Sequence, residues 1–159
     1  MTEWADGAGD EEPSEETPEA PSAPSRSGAL RWAMLWYVAV NLAIGLPLTL
    51  FPVQFLELIG VDEATAVELG AGLRWVGAML VAWAVAALLI VARPGGRGYF
   101  VTAGALQMTF GAGALLYSSF VDEQLASLWF HTLITVVFVG TAAYLWIVRY
   151  RAKDVFSIG

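Results

Sequence analysis

Two polar residues interrupt long apolar segments and could carry chemistry there. Arg74 could contact an anionic substrate, or it could serve structurally by pinning helices or by reaching lipid headgroups. His131 is the single histidine of the chain, and imidazoles inside membranes recur in proton relays because they titrate near neutral pH. Its alternative role is that of a hydrogen-bonded packing residue, so both interpretations stay open for both positions.

Three further polar residues extend this pair into a predicted site. Asn41 and Gln107 lie near the middle of the first and third apolar segments, and Glu68 precedes the second. We predict an outward-facing polar pocket whose walls carry Arg74, His131 and Glu68. Asn41 and Gln107 would form its floor. The simpler interpretation of the two amides is a hydrogen bond between helices, which contributes about 0.6–2 kcal/mol.

Residue types that several other chemistries need are missing. The chain has no cysteine and one histidine, so it lacks thiolates and has too few ligands for a zinc site. No G-x-S-x-G or H-E-x-x-H occurs, and the glycine-rich segment 93–98 lacks the Lys-Ser/Thr of a phosphate-binding loop. We therefore predict no metal and no cofactor, and the absence of a basic patch predicts no nucleic-acid partner. An enzymatic role is left open but is disfavoured.

Four long apolar segments must position these residues. The chain is 57% hydrophobic and 14% charged, whereas a soluble domain is about 25% charged. The segments cover about residues 30–51, 69–92, 99–120 and 125–148, and each is long enough as a helix to cross a hydrocarbon core of about 30 Å. A soluble bundle would need a charged stripe along every helix, yet residues 76–92 carry no charge on any face.

The N-terminal segment has the opposite character. Residues 1–25 contain eight Asp or Glu, four prolines and no Lys or Arg. Such a segment buries too little apolar surface to offset its chain entropy, so residues 1–28 are predicted to form a disordered acidic tail. The transmembrane domain would then cover 29–152, followed by a short cytoplasmic C-terminal tail at 153–159.

Arginine and lysine collect at one end of the predicted bundle. They lie at 26–31, 93–97 and 149–153, whereas acids at 57–68 and 122–123 lie at the other end. The positive-inside rule then places both termini, and the turn between the second and third spans, in the cytoplasm of a cell-membrane protein. We name the end that carries the acids the outer end and the opposite one the inner end.

The link between the first two spans is predicted to hold a short amphipathic helix, 53–59, at the membrane interface. Its apolar side chains Phe55, Leu56 and Ile59 would be available to dip into lipid. Gly60 ends this helix, and Asp62 is predicted to cap the helix of the second span.

A stripe of small residues runs along the second span from Arg74 inward. Ala78, Ala82 and Ala86 follow at four-residue steps, which places them near one helix face. Small residues allow helices to pack closely in membranes. The stripe therefore predicts that Arg74 points into the bundle, and small-residue faces also suggest a homo-oligomer.

Two short motifs resemble those of a family of small four-span membrane proteins. They are Leu-Phe-Pro-Val-Gln-Phe-Leu-Glu-Leu-Ile-Gly at 50–60 and Gly-Leu-Arg-Trp-Val-Gly-Ala-Met-Leu at 72–80. Residues 30–120 resemble the BphX-like proteins, in which a Pro-Phe-Gly segment follows the first span and an Arg-x-x-Gly opens the second. The resemblance implies a four-span fold, draws attention to Arg74 and Gly77, and implies little about function.

These observations predict an all-α, integral membrane fold: an antiparallel four-helix transmembrane bundle with a disordered acidic N-terminal tail. The predicted function is that of a non-enzymatic accessory or structural component, in contact with the lipid bilayer. A small oligomeric transporter or channel that uses the polar pocket is the first alternative. A quinone- or lipid-binding subunit of a membrane enzyme is the second.

Overall fold

Five helices make up the part of the chain that the structure, a computed structural model, describes: residues 24–92, 97–121 and 126–152. In chain order they are α1 (Pro24–Leu50), α2 (Pro52–Leu58), α3 (Glu63–Ala92), α4 (Gly98–Val121) and α5 (Leu128–Arg151). Among these described residues there is no β-strand, so the fold is all-α.

Four of the helices, α1, α3, α4 and α5, are long and apolar enough to cross a membrane. A helix suits such a segment because it satisfies its own backbone hydrogen bonds where no water is present. Large apolar side chains such as Trp75, Phe110 and Val136 are exposed along them, as expected where lipid surrounds the bundle. The prediction of an all-α, multi-pass membrane protein with four transmembrane helices is confirmed.

The helix ends differ from the predicted spans. α1 begins inside the segment predicted as a disordered tail, where a proline fits the first helical turn; residues 1–23 and 153–159 lie outside the described part. α3 begins well before its predicted span, because Asp62 caps it as predicted. The Asp62 Oδ1 accepts a hydrogen bond from the backbone N–H of Thr65 at 3.0 Å. Hydrogen bonding from Thr65 holds the pKa of this carboxyl below its usual range.

The helix α1 lies at the centre of the bundle. It packs along α3 on one side and α5 on the other, while α4 packs mainly on α5. From α1 come the buried side chains of Leu30, Met34 and Tyr37, which share one core cluster with Val101 of α4 and Leu145 of α5. Although α3 and α4 follow each other in the chain, they hardly touch. The short turn predicted between them therefore joins two helices that pack mainly on other partners.

Glycines set the distance between α1 and α3. A Cβ built at Gly45 would lie 3.0 Å from the carbonyl oxygen of Gly77, and one at Gly77 would lie 2.8 Å from that of Gly45. Helices in membranes approach this closely only where small residues leave their backbones bare. The packing face of α3 runs through Gly70, Gly77 and Ala84, which are all buried.

The short helix α2 docks onto the outer end of the bundle. Leu56 and Ile59 are buried in a cluster with Val61 and Ala66, and Phe130 of α5 packs against it. The prediction that the apolar side chains of this segment dip into lipid is therefore wrong for Leu56 and Ile59. They are covered by protein because α3 and α5 offer an apolar surface at the same level.

Gly60 ends this docked segment and brings it against α5. Its φ of 98° lies in the left-handed region that favours glycine, and the turn leaves the carbonyl of Ile59 beside Ser127. Ser127 donates to that oxygen twice, from its backbone N–H at 2.8 Å and from its hydroxyl at 2.6 Å. We call this contact of Ile59, Gly60 and Ser127 the outer clasp.

Candidate functional site

A closed hydrogen-bond network joins α1 to α4 in the middle of the bundle. The Tyr37 hydroxyl donates to Gln107 Oε1, and Gln107 Nε2 donates to Asn41 Oδ1 at 3.3 Å. Asn41 Nδ2 donates back to the carbonyl of Tyr37 at 2.9 Å. Tyr37 and Asn41 are each 1% exposed. We call these three residues the polar trio.

The polar trio is a structural arrangement in which the helices bind one another. In the described residues, no buried side-chain nitrogen or oxygen lacks a hydrogen-bond partner, which matters because an unpaired polar group in an apolar interior is costly. The bond between Asn41 and Gln107 agrees with the simpler interpretation of the two amides. Tyr37 was missed, although it precedes Asn41 by one turn and so shares its face.

His131 lies at the outer end of α5 and faces α4. Its Nε2 is 2.7 Å from the hydroxyl oxygen of Ser119. Both residues line an open pocket of about 260 Å³ together with Leu128, Thr132 and Thr135. Because α5 begins at Leu128 rather than near residue 125, His131 is in its first turn and is closer to the outer surface than predicted.

A serine bonded to a histidine resembles a nucleophile with its general base, but the Ser119 hydroxyl here has a second acceptor within reach. The Ser119 hydroxyl donates to the carbonyl of Leu115 at 2.8 Å, and a hydroxyl has only one proton to donate. When the hydroxyl donates there, the Ser119 oxygen accepts from His131 Nε2 in the tautomer that carries its proton on that nitrogen. No group among the described residues hydrogen-bonds Nδ1 of His131 to orient the ring. The pair links α4 to α5 through this contact.

Arg74 and Glu68 are both exposed on α3. The inward orientation predicted for Arg74 is wrong, since Ala78 and Ala82 of its stripe are exposed as well and α3 packs through its glycine face instead. Arg74 has no hydrogen-bond or ion-pair partner within the part of the chain that the structure describes. The uncharged residues 75–92 cover about 27 Å of helix, so Arg74 lies near the outer edge of the hydrocarbon region.

The five residues of the predicted pocket thus fall into separate groups. Asn41 and Gln107 bond to each other, while His131 bonds to Ser119 and lines a pocket that contains none of the other four. The pocket beside His131 is therefore not the predicted one, because the other four residues do not line it.

An apolar groove runs along the surface between α1 and α5. It encloses about 350 Å³, with Phe55 of α2 and Phe130 of α5 at its outer end, where the two rings meet edge to face with centroids 6.1 Å apart. Trp36 lines its inner part, and the indole N–H of Trp36 already donates to Thr141 Oγ1 at 2.9 Å. The groove suits an acyl or isoprenoid chain.

Comparisons with protein-family models, with curated proteins and with solved structures find no match to this chain. The resemblance to the BphX-like proteins therefore stays a prediction.

Proposed function

We propose that the protein is a non-enzymatic accessory or structural component of the cell membrane. The observation that supports this role is the closed polar trio, because its polar side chains bind one another across α1 and α4. A site for substrate or ions at this depth would need polar groups that remain available to a ligand. Hydrogen bonds from Trp146 to Thr109 and from Arg149 to Thr102 join α5 to α4 in the same way.

We further propose that both termini and the turn after α3 lie in the cytoplasm. Arg97 and Arg149 lie at that end of the bundle, and Glu63 lies at the other. A fluorescent protein that folds only in the cytoplasm is expected to fluoresce when fused after Gly159. The same reporter fused after Val121, behind three spans, is expected to stay dark. The reverse pattern would overturn this topology.

The structural role predicts energetic coupling between the two amides of the polar trio. We expect Asn41→Ala and Gln107→Ala each to lower the thermal stability of the detergent-solubilised protein, with a coupling energy in a double-mutant cycle of about 0.6–2 kcal/mol. Ser118 and Thr132 provide a matched control pair, because each hydroxyl bonds to a carbonyl of its own helix. Their alanine variants should show no coupling.

Three results would contradict the structural role. Unchanged or raised stability of both amide variants would mean that the trio is kept for something other than packing. Ion flux through proteoliposomes that is lost in Arg74→Ala or His131→Ala would favour the transporter. A quinone that copurifies in stoichiometric amount, and that leaves when Ala43 in the α1–α5 groove is changed to leucine, would favour the membrane-enzyme subunit.

A further inference from the structure

A second groove separates α3 from α4 along the inner half of the bundle. It encloses about 350 Å³ and is lined from α3 by Met79, Ala82, Trp83 and Ala86 and from α4 by Phe100. From Met79 to Ala86 it runs for about 10 Å along the helix axis. The α3–α4 groove exists because these two helices hardly pack on each other.

A charged side chain lies at the inner mouth of this groove. Arg97 precedes the first residue of α4, and its Nη1 donates to the carbonyl of Leu89 on α3. Leu89 is one turn beyond Ala86, and Phe100 is one turn after Arg97, so the guanidinium bridges the two helices where the groove opens. Arginine has five N–H donors, and one contact leaves others available. The first turn of α4 begins at the same place, and its first bonded N–H is that of Phe100, so those of Gly98 and Tyr99 precede the hydrogen-bonded part of the helix.

We propose that the α3–α4 groove binds a phospholipid, with the phosphate at Arg97 and one acyl chain between the helices. A guanidinium matches a phosphate in charge and geometry, and a helix N-terminus favours an anion. Basic pockets between transmembrane helices at the cytoplasmic face bind anionic headgroups, and under the proposed topology Arg97 lies at that face. This binding site goes beyond the structural role proposed above and does not require it.

The combination of a positive charge with an apolar lining favours a phospholipid over the two occupants that the protein itself could supply, its N-terminal segment and a second copy. Under the proposed topology, the acidic residues on the inner side of the bundle are Asp154 and those of segment 1–19. That segment has few apolar residues. Its negative charge therefore complements Arg97, but it has little apolar surface to fill the groove. A second copy of the chain would fill the groove with apolar side chains but would leave Arg97 dependent on those same acids.

Native mass spectrometry of the full chain in detergent, with dioleoylphosphatidylglycerol or dioleoylphosphatidylcholine added, tests the proposal. We expect the parent to retain phosphatidylglycerol in preference to phosphatidylcholine. Arg97→Gln should reduce its occupancy at least threefold, while Arg97→Lys should keep part of it because lysine binds phosphate as a point charge. Ala86→Leu, which fills the groove, should reduce the occupancy of both lipids. Ala143→Leu and Arg151→Gln are matched controls on exposed positions of α5 and should bind as the parent does.

Thermal stability of the same samples gives a second readout. Phosphatidylglycerol should raise the melting temperature of the parent and of both controls, with a smaller shift in Arg97→Gln. Equal shifts in the parent and Arg97→Gln would overturn the proposal, as would equal retention of the two lipids by the parent. If crosslinking shows that Ala86→Leu breaks an oligomer while lipid occupancy stays unchanged, a second copy occupies the groove and the lipid site is wrong.

Discussion

Gly77→Leu is expected to separate α3 from α1 and to cause a large loss of stability. A Cβ at Gly77 would lie 2.7 Å from the backbone nitrogen of Thr49 and 2.8 Å from the carbonyl oxygen of Gly45. Backbone atoms of a helix cannot rotate away as a side chain does, so the two helices must move apart. Overpacking usually costs about 1–3 kcal/mol, and we expect the upper part of that range or more, a fall in melting temperature on the order of 10 °C.

Gly72→Leu is the matched control for this experiment. Gly72 is exposed on the same helix, and a Cβ there would meet no atom within 4 Å, so the expected change is within about 0.5 kcal/mol. The circular dichroism of both variants should stay helical, because a transmembrane helix keeps its own backbone hydrogen bonds when its packing is lost. If Gly77→Leu proves as stable as Gly72→Leu, the glycine crossing of α1 and α3 is not the contact that holds them together.

Local features of the fold could be predicted from the sequence, and the choice of packing face could not. The four spans follow from composition and length, and the Asp62 cap follows from a short-range rule. By contrast, α3 carries two stripes of small residues, one with Ala78 and Ala82 and one with Gly70 and Gly77. From the sequence alone, both stripes are equally suitable for packing against another helix. Which stripe packs depends on the partner helix.

The partner contacts are what single-sequence reasoning lacks. Gly45 on α1 supplies a bare backbone opposite Gly77, and no spacing rule within either helix connects the two positions. The same limit explains the inward orientation wrongly expected for Arg74. It also explains why Tyr37 was missed, because its role depends on Gln107 being carried by another helix. That Asn41 and Gln107 would form hydrogen bonds between helices could be predicted, because polar groups at membrane depth need partners. The atoms that bond could not be predicted.

The outer clasp is another contact of this sort, and its disruption carries the second large expected effect. Gly60 was predicted to end α2, but its approach to Ser127 joins parts of the chain that are far apart in sequence. Gly60→Val would place a β-branched side chain at a φ of 98°, a strain of about 1–3 kcal/mol. Its Cβ would also lie 3.0 Å from the Cβ of Ser127. We expect a total loss of roughly 2–4 kcal/mol.

A graded series of variants separates backbone strain from the loss of the clasp. Ser127→Ala removes one hydroxyl hydrogen bond and should cost about 1 kcal/mol. The stability of Gly60→Ala should lie between that of Ser127→Ala and that of Gly60→Val. Gly113→Val, where a Cβ meets nothing within 4 Å, should stay near the parent. Hydrogen exchange at the Ser127 amide, which donates to Ile59, should accelerate in Gly60→Val. Unchanged exchange there would mean that the apolar burial of Leu56 and Ile59, and not the outer clasp, docks the segment.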